Sequence, residues 1–144
     1  MGGLGPAGAS ATEAQTQSSM SGVTFDAGGL VALDRNDRRV IVLLARAAEL
    51  GARVTLPATA LAQAIRRPAR QARLSRLLRQ PKTALIALDG PDATQVGILL
   101  AASRTTDIVD AHVVICARRH ADPIVTSDPD DLERIDPGAR LIVV

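Results

Sequence analysis

"VTFDAGGLVALDR", residues 23–35, passes from a β-branched run to an acid, then to three small residues, then to an apolar helical pattern. Val23, Thr24 and Phe25 carry strand-forming side chains. Asp26 stands where the strand should stop. Ala27, Gly28 and Gly29 follow, small enough to let other groups approach closely. A strand that runs directly into a helix is the first half of a βαβ unit, and such units build parallel sheets.

Working outward, the chain repeats this alternation. Asp37 can cap "RRVIVLLARAAEL" (38–50), where Val40, Ile41, Leu43, Leu44 and Ala47 follow a 3.6-residue period until Gly51. "RVTLP" (53–57) reads as a second strand. "ATALAQAIRR" (58–67) is a helix broken at Pro68. "ARQARLSRLLRQ" (69–80) puts Leu74, Leu77 and Leu78 on one side of a helix and arginines on the other. "ALIALD" (84–89) is a third strand, and Asp92 is a candidate cap for "ATQVGILLAASR" (93–104). The helix opening at "TTDIVDAHVVICA" (105–117) runs to His120. "PIVTS" (123–127) is a fourth strand, "DPDDLERI" (128–135) a turn with a helical start, and "ARLIVV" (139–144) a last strand. The pattern predicts an α/β protein with a mostly parallel sheet and right-handed crossovers.

The chain has 144 residues, of which 47% are hydrophobic, enough for one domain with its own core. Residues 1–19, "MGGLGPAGASATEAQTQSS", are small and polar and read as a disordered extension, leaving a domain over 20–144. No basic head with an apolar stretch marks a signal peptide, and no apolar run approaches the ~20 residues of a membrane span; the expected location is the cytoplasm, away from membranes. Cys116 is the one cysteine, which excludes a disulfide framework and a thiolate-rich metal site. Its place on an apolar helix face marks it as a small buried hydrophobe.

Phe25 is the one aromatic residue, so there is no stacking platform for single-stranded nucleic acid. The formal charge of +2 is weak support for a nucleic-acid partner. His112 and His120 are isolated and read as helix-surface residues. Ser103 and Ser127 lack a nucleophile-elbow context. No Gly-rich phosphate loop has the Walker or Rossmann spacing.

The acids carry more. In an open parallel sheet, ligands bind beyond the carboxyl ends of the strands. Asp26 ends the first strand and Asp128 follows the fourth. Asp107 and Asp110 open the helix that precedes the fourth strand, whose amino end belongs at that same edge. Acids from three separated stretches thus converge, as a hard divalent cation requires. Asp107 serves equally well as a helix cap, whereas a cap role explains Asp110 poorly. Asp130 reads as solvated, and Asp131 is open between a turn role and a site role.

"VTFDAGGLVALDR", "VTLPATALAQAIRR", "TTDIVDAHVVICARR" and "IVTSDPDDL", in this order and spacing, resemble the four motif blocks of PIN domains. More narrowly they are similar to VapC-type toxins of bacterial toxin–antitoxin pairs, over residues 22–144. The resemblance implies a three-layer α/β/α fold and an endoribonuclease that uses Mg²⁺ or Mn²⁺ held by acids. It also implies a homodimer and a cognate antitoxin that blocks the site. Asp26, Asp110 and Asp128 match the family's first, third and fourth acids. The second block departs: Gln63 stands where the family usually has glutamate. Glutamine keeps a carbonyl oxygen and loses the charge and the base. Asp107 or Asp131 is a candidate for supplying that charge.

These expectations combine into metal-assisted hydrolysis of an RNA phosphodiester. Asp26 and Asp110 hold the cation, Asp128 binds a second ion or orients water, and Arg70 and Arg73 grip the RNA backbone unless their run is simply a solvated face. The rival is a PIN-like module, weakened by loss of the glutamate, that binds antitoxin or RNA without cutting. A receiver- or phosphatase-like α/β domain also fits the strand-end acids, but lacks the lysine such domains want after a late strand.

Overall fold

The computed structural model describes residues 20–144; the extension expected over residues 1–19 lies outside them. The described chain runs β1 (Gly22–Phe25), α1 (Ala27–Asp34), α2 (Arg38–Leu50), β2 (Arg53–Pro57), α3 (Ala58–Ala64), a 3₁₀ turn (Pro68–Arg70), α4 (Ala72–Leu78), β3 (Thr83–Ile86), α5 (Gly90–Ser103), α6 (Ile108–His120), β4 (Ile124–Thr126), α7 (Pro129–Ile135) and β5 (Leu141–Val143).

The strands form one sheet in the order β3-β2-β1-β4-β5, and every pair is parallel. β1 is central, with Val23 beside Val54 of β2 and Thr24 beside Ile124 of β4. All four residues of β1 are buried, as a strand covered on both faces requires. The chain steps outward from β1 to β3, then crosses back to β4 and β5. With right-handed crossovers the two sets of helices lie on opposite faces, so the expected three-layer α/β/α arrangement is the observed one. The strand order reverses between β1 and β4, the topological switch point at which such sheets open a crevice.

The core is aliphatic, with Phe25 at its centre. Leu30 of α1, Leu56 of β2, Val113 and Val114 of α6, Ile124 of β4 and Leu132 of α7 are all fully enclosed. α6 is buried on nearly all sides from Ala111 to Val114, which anchors the helix in the core just beyond its first turn.

Several expected boundaries shift. α3 stops at Ala64, and the arginine-rich stretch divides into the 3₁₀ turn and the short α4. The buried Gln71 makes the division: its amide oxygen accepts from the N–H groups of Arg66 and Arg67, and its nitrogen donates to the Ala64 carbonyl. The cap of α5 is Asp89, whose side chain accepts from the Asp92 N–H at 2.9 Å. Pro91 then falls in the first turn, where its missing N–H costs nothing, and the third strand ends earlier than expected, at Ile86. Asp92 is instead buried and pairs with Arg119 at 2.6 Å, tying α5 to α6.

Candidate active site

Asp26 leaves the carboxyl end of β1 and caps α1, accepting the Gly29 N–H at 2.7 Å. It is 4% exposed. The glycines after it are needed for packing. A Cβ on Gly28 would collide with the Ser127 hydroxyl, and one on Gly29 with the Val125 carbonyl. Their lack of side chains lets α1 press against the end of β4. Thr126, wholly buried, joins the two strand ends: its hydroxyl oxygen accepts from the Asp128 N–H at 2.9 Å, and the hydroxyl donates to Asp26.

Asp107 is the N-cap of α6 and accepts the Asp110 N–H at 2.9 Å. The cap role expected for Asp107 is thus the observed one. Asp110 lies within the first turn, half-buried, beside a cleft of about 260 Å³ shared with Asp107 and Asp131. Asp128, exposed, precedes α7 without a capping hydrogen bond of its own.

Electrostatics show that these groups sense one another. Burial, then the carboxylates of Asp107, Asp26 and Asp131, push the Asp110 carboxyl up to about 7. Burial raises Asp26, the Asp128 charge adds to that, and the Thr126 and Gly29 hydrogen bonds pull the other way. Asp128 is raised chiefly by Asp131. A crowd of carboxylates shifted in this direction is a site short of positive charge.

Gln63 is exposed on α3, the helix packed between α1 and α6. Arg70 lies on the exposed 3₁₀ turn. Arg73 donates to the Asp34 carbonyl at the far end of α1. Since α1 has eight residues, that is ~12 Å along the helix from Asp26. Cys116 is buried and its thiol is pushed up to about 11 by burial, as an inert core residue should be.

His112 corrects the expectation of a surface residue. It is fully buried, and its Nδ1 shares a 2.7 Å hydrogen bond with the Thr59 hydroxyl of α3. Burial lowers its pKa, so it sits neutral between α3 and α6. Neither it nor Thr126 stands out in the sequence. The one signal for Thr126 is its place two residues before Asp128, where a hydroxyl can close a local turn.

Among the described residues, no three His, Cys, Asp or Glu side chains form a ready-made cage for a metal ion. Mg²⁺ does not need one: it binds through one or two carboxylates and keeps several waters. The donor set therefore fits a hard cation, because its acids are oxygen ligands with unmet charge.

No family profile matches the chain, and no curated protein sequence does. Solved structures do. The chain is similar to one in the crystal structure of VapBC2 from Rickettsia felis bound to a DNA fragment from their promoter, with a TM-score of 0.61 at 15% identity, over 85% of this chain and 98% of that one. It is also similar to a chain in the crystal structure of FitAcB from Neisseria gonorrhoeae, with a TM-score of 0.59 at 16% identity, over 83% and 96%. At such identity the likeness is one of fold, and the fold is PIN-like.

Proposed function

We propose that the protein is a metal-dependent endoribonuclease acting as the toxin of a toxin–antitoxin pair. The observation that carries this reading is that Asp26 lies close enough at the switch point to sense Asp128 and to act on Asp110, with burial raising Asp26 and Asp110 and neighbouring acids raising all three carboxyls. The likeness in fold to chains of VapBC2 and FitAcB supports it, as does the order of the four motif blocks.

Asp26 and Asp110 are the residues that would hold Mg²⁺ or Mn²⁺, with Asp128 as a further ligand or as the acceptor that orients the attacking water. The bound ion would supply an acidified water and offset charge on the phosphate. The chain's own contribution is positional. Gly29 N–H and the Thr126 hydroxyl fix the Asp26 carboxylate, the Asp107 cap fixes the first turn of α6, and Asp131 adds negative charge near Asp110 and Asp128. Arg70 and Arg73, at the far end of α1, would hold RNA away from the bond being cut.

For the antitoxin, the best-suited surface is an apolar groove of about 810 Å³ between α2 and α4, floored by Leu44, Ala48 and Leu77. For a second copy it is α5, which leaves Ile98 58% exposed. No helix among the described residues is long and apolar enough to cross a membrane.

One observation favours the rival, a module that binds without cutting: Gln63 is neutral and exposed. Incubation of the purified protein with RNA in Mg²⁺ or Mn²⁺ decides between them. Cleavage that stops with EDTA and in Asp26→Asn supports the nuclease; cleavage that survives both controls rules out this site, and none in either metal leaves the binding module.

A further inference from the structure

The cleft beside Asp110 is not purely acidic. Arg104 and Arg134 both line it, one from the α5–α6 turn and one from α7. Arg104 forms no ion pair among the described residues, and Arg134 has only a loose one, to Asp131 at 4.0 Å. Both guanidiniums are therefore free to exchange solvent for a ligand.

Arg104 also occupies a backbone position that disfavours it. It closes α5 in the left-handed region, at φ 57°, where glycine or asparagine is the usual choice. The turn is pinned on both sides: the Ser103 hydroxyl donates to the Leu99 carbonyl at 2.8 Å and pairs with the Thr105 hydroxyl at 3.0 Å. The pinned turn fixes the backbone from which Arg104 lines the cleft.

Three carboxylates (Asp107, Asp110 and Asp131) against two guanidiniums leave the cleft itself acidic. One divalent cation reverses that sign. An anion that enters beside the cation then meets two planar guanidiniums, the groups best matched to phosphate oxygens. The volume, about 260 Å³, is below the ~300–1,000 Å³ of sites that engulf a whole ligand. It suits a backbone segment of a longer chain.

Resting on the nuclease reading above, we infer that Arg104 and Arg134 form a subsite for RNA backbone phosphates flanking the scissile one. They bind ground state and transition state alike, so their loss raises KM and leaves kcat nearly unchanged.

The test compares wild type with the double variant Arg104→Gly/Arg134→Ala. Glycine suits the left-handed position, so Arg104→Gly alone raises the melting temperature, and weakened binding cannot be blamed on misfolding. The probes are anisotropy of a fluorescent 2′-O-methyl oligoribonucleotide in Mg²⁺ across salt concentrations, and cleavage kinetics on RNA. The double variant is expected to bind at least tenfold more weakly. Its log–log salt slope should be shallower by about 1.4, at ~0.7 for each single-strand phosphate that an arginine no longer neutralises. KM should rise in step, with kcat within about threefold of wild type. Unchanged affinity and salt slope in a pair of proteins that both cut RNA would overturn the subsite and spare the nuclease. A wild type that neither binds nor cuts RNA would overturn the nuclease reading itself.

Discussion

Each end of the parallel sheet buries one aspartate, and the two are treated in opposite ways. At the amino end, the Asp122 side chain is fully enclosed and receives Arg53 at 3.0 Å and the Thr24 hydroxyl at 3.2 Å. Gly22 makes the fit possible, since a Cβ there would lie 2.8 Å from the Arg53 guanidinium. At the carboxyl end, Asp26 is as deeply placed but forms no ion pair among the described residues. Its partners are a hydroxyl and an N–H, and its neighbours are other acids. A buried acid with its own arginine holds a fold together. A buried acid without one is a candidate to take charge from outside, as the proposed cation would supply.

The contrast predicts opposite responses to substitution. Asp26→Asn should lower RNA cleavage by at least ~100-fold, since disturbing even the outer partners of a metal ligand costs ~10–100-fold. The same variant should unfold at a temperature no lower than wild type, because it removes a buried charge. A calorimetric scan beside a cleavage assay checks both halves, and a collapse of the melting temperature would mean that Asp26 is structural after all.

At the other end, Asp122→Ala should act on stability. It strands the partly buried Arg53 guanidinium and the Thr24 hydroxyl. Breaking a fully buried pair costs ~3–5 kcal/mol; with Arg53 33% exposed, about 2–3 kcal/mol is expected. Urea titration measures it. A loss of well under 1 kcal/mol would show that the pair contributes little.

How far this contrast is legible in the sequence depends on which residues carry it. The strand-end positions of Asp26 and Asp128 follow from the alternation alone, because a sharp strand–helix junction leaves one place for each acid. Asp107 and Asp110 follow from helix phase. What escapes depends on neighbours distant in the chain. Asp122 looks like a loop residue until the sheet order puts Gly22 and Arg53 beside it. His112 is misleading because α6 is enclosed nearly all round, and such a helix has no polar face against which to judge an isolated histidine. The cap of α5 is ambiguous because Asp89 and Asp92 both have the right chemistry, and Pro91 between them decides in favour of Asp89.

The shortage of charge at the carboxyl end should also appear in the pH dependence of stability. The Asp110 carboxyl is raised to about 7 in the fold, against ~3.9 for an unperturbed aspartate. The folded state therefore holds its proton more tightly than the unfolded state. Below about pH 4 both states are protonated and the group costs nothing; from there to about pH 7 the fold loses stability, and above that the loss is complete. Asp110→Asn removes the loss. Without metal, the variant should melt a few degrees above wild type at pH 8 and together with it at pH 4. Mg²⁺ should raise the wild-type melting temperature at pH 8 and leave the variant unmoved. A difference that is the same at both pH values would rule out the carboxyl as its source.

The smallest effect is expected at Gln63, and it asks whether the carboxyl end needs another acid at all. Gln63 sits one helical turn beyond Thr59, and the Thr59–His112 hydrogen bond ties α3 to α6, the helix that carries Asp110. Position 63 is thus held on a helix coupled to the site, yet its side chain is exposed. A carboxylate added there stands in solvent, where its attraction for a cation is largely screened. Gln63→Glu should therefore tighten Mg²⁺ by about threefold, with the melting temperature unchanged. A gain far larger than that, with cleavage rising from a low level in parallel, would mean that glutamine at 63 is what holds the enzyme down. No gain would mean that Asp107 and Asp131 already supply the charge, and that the site is complete with an acid set different from the one the resemblance implies.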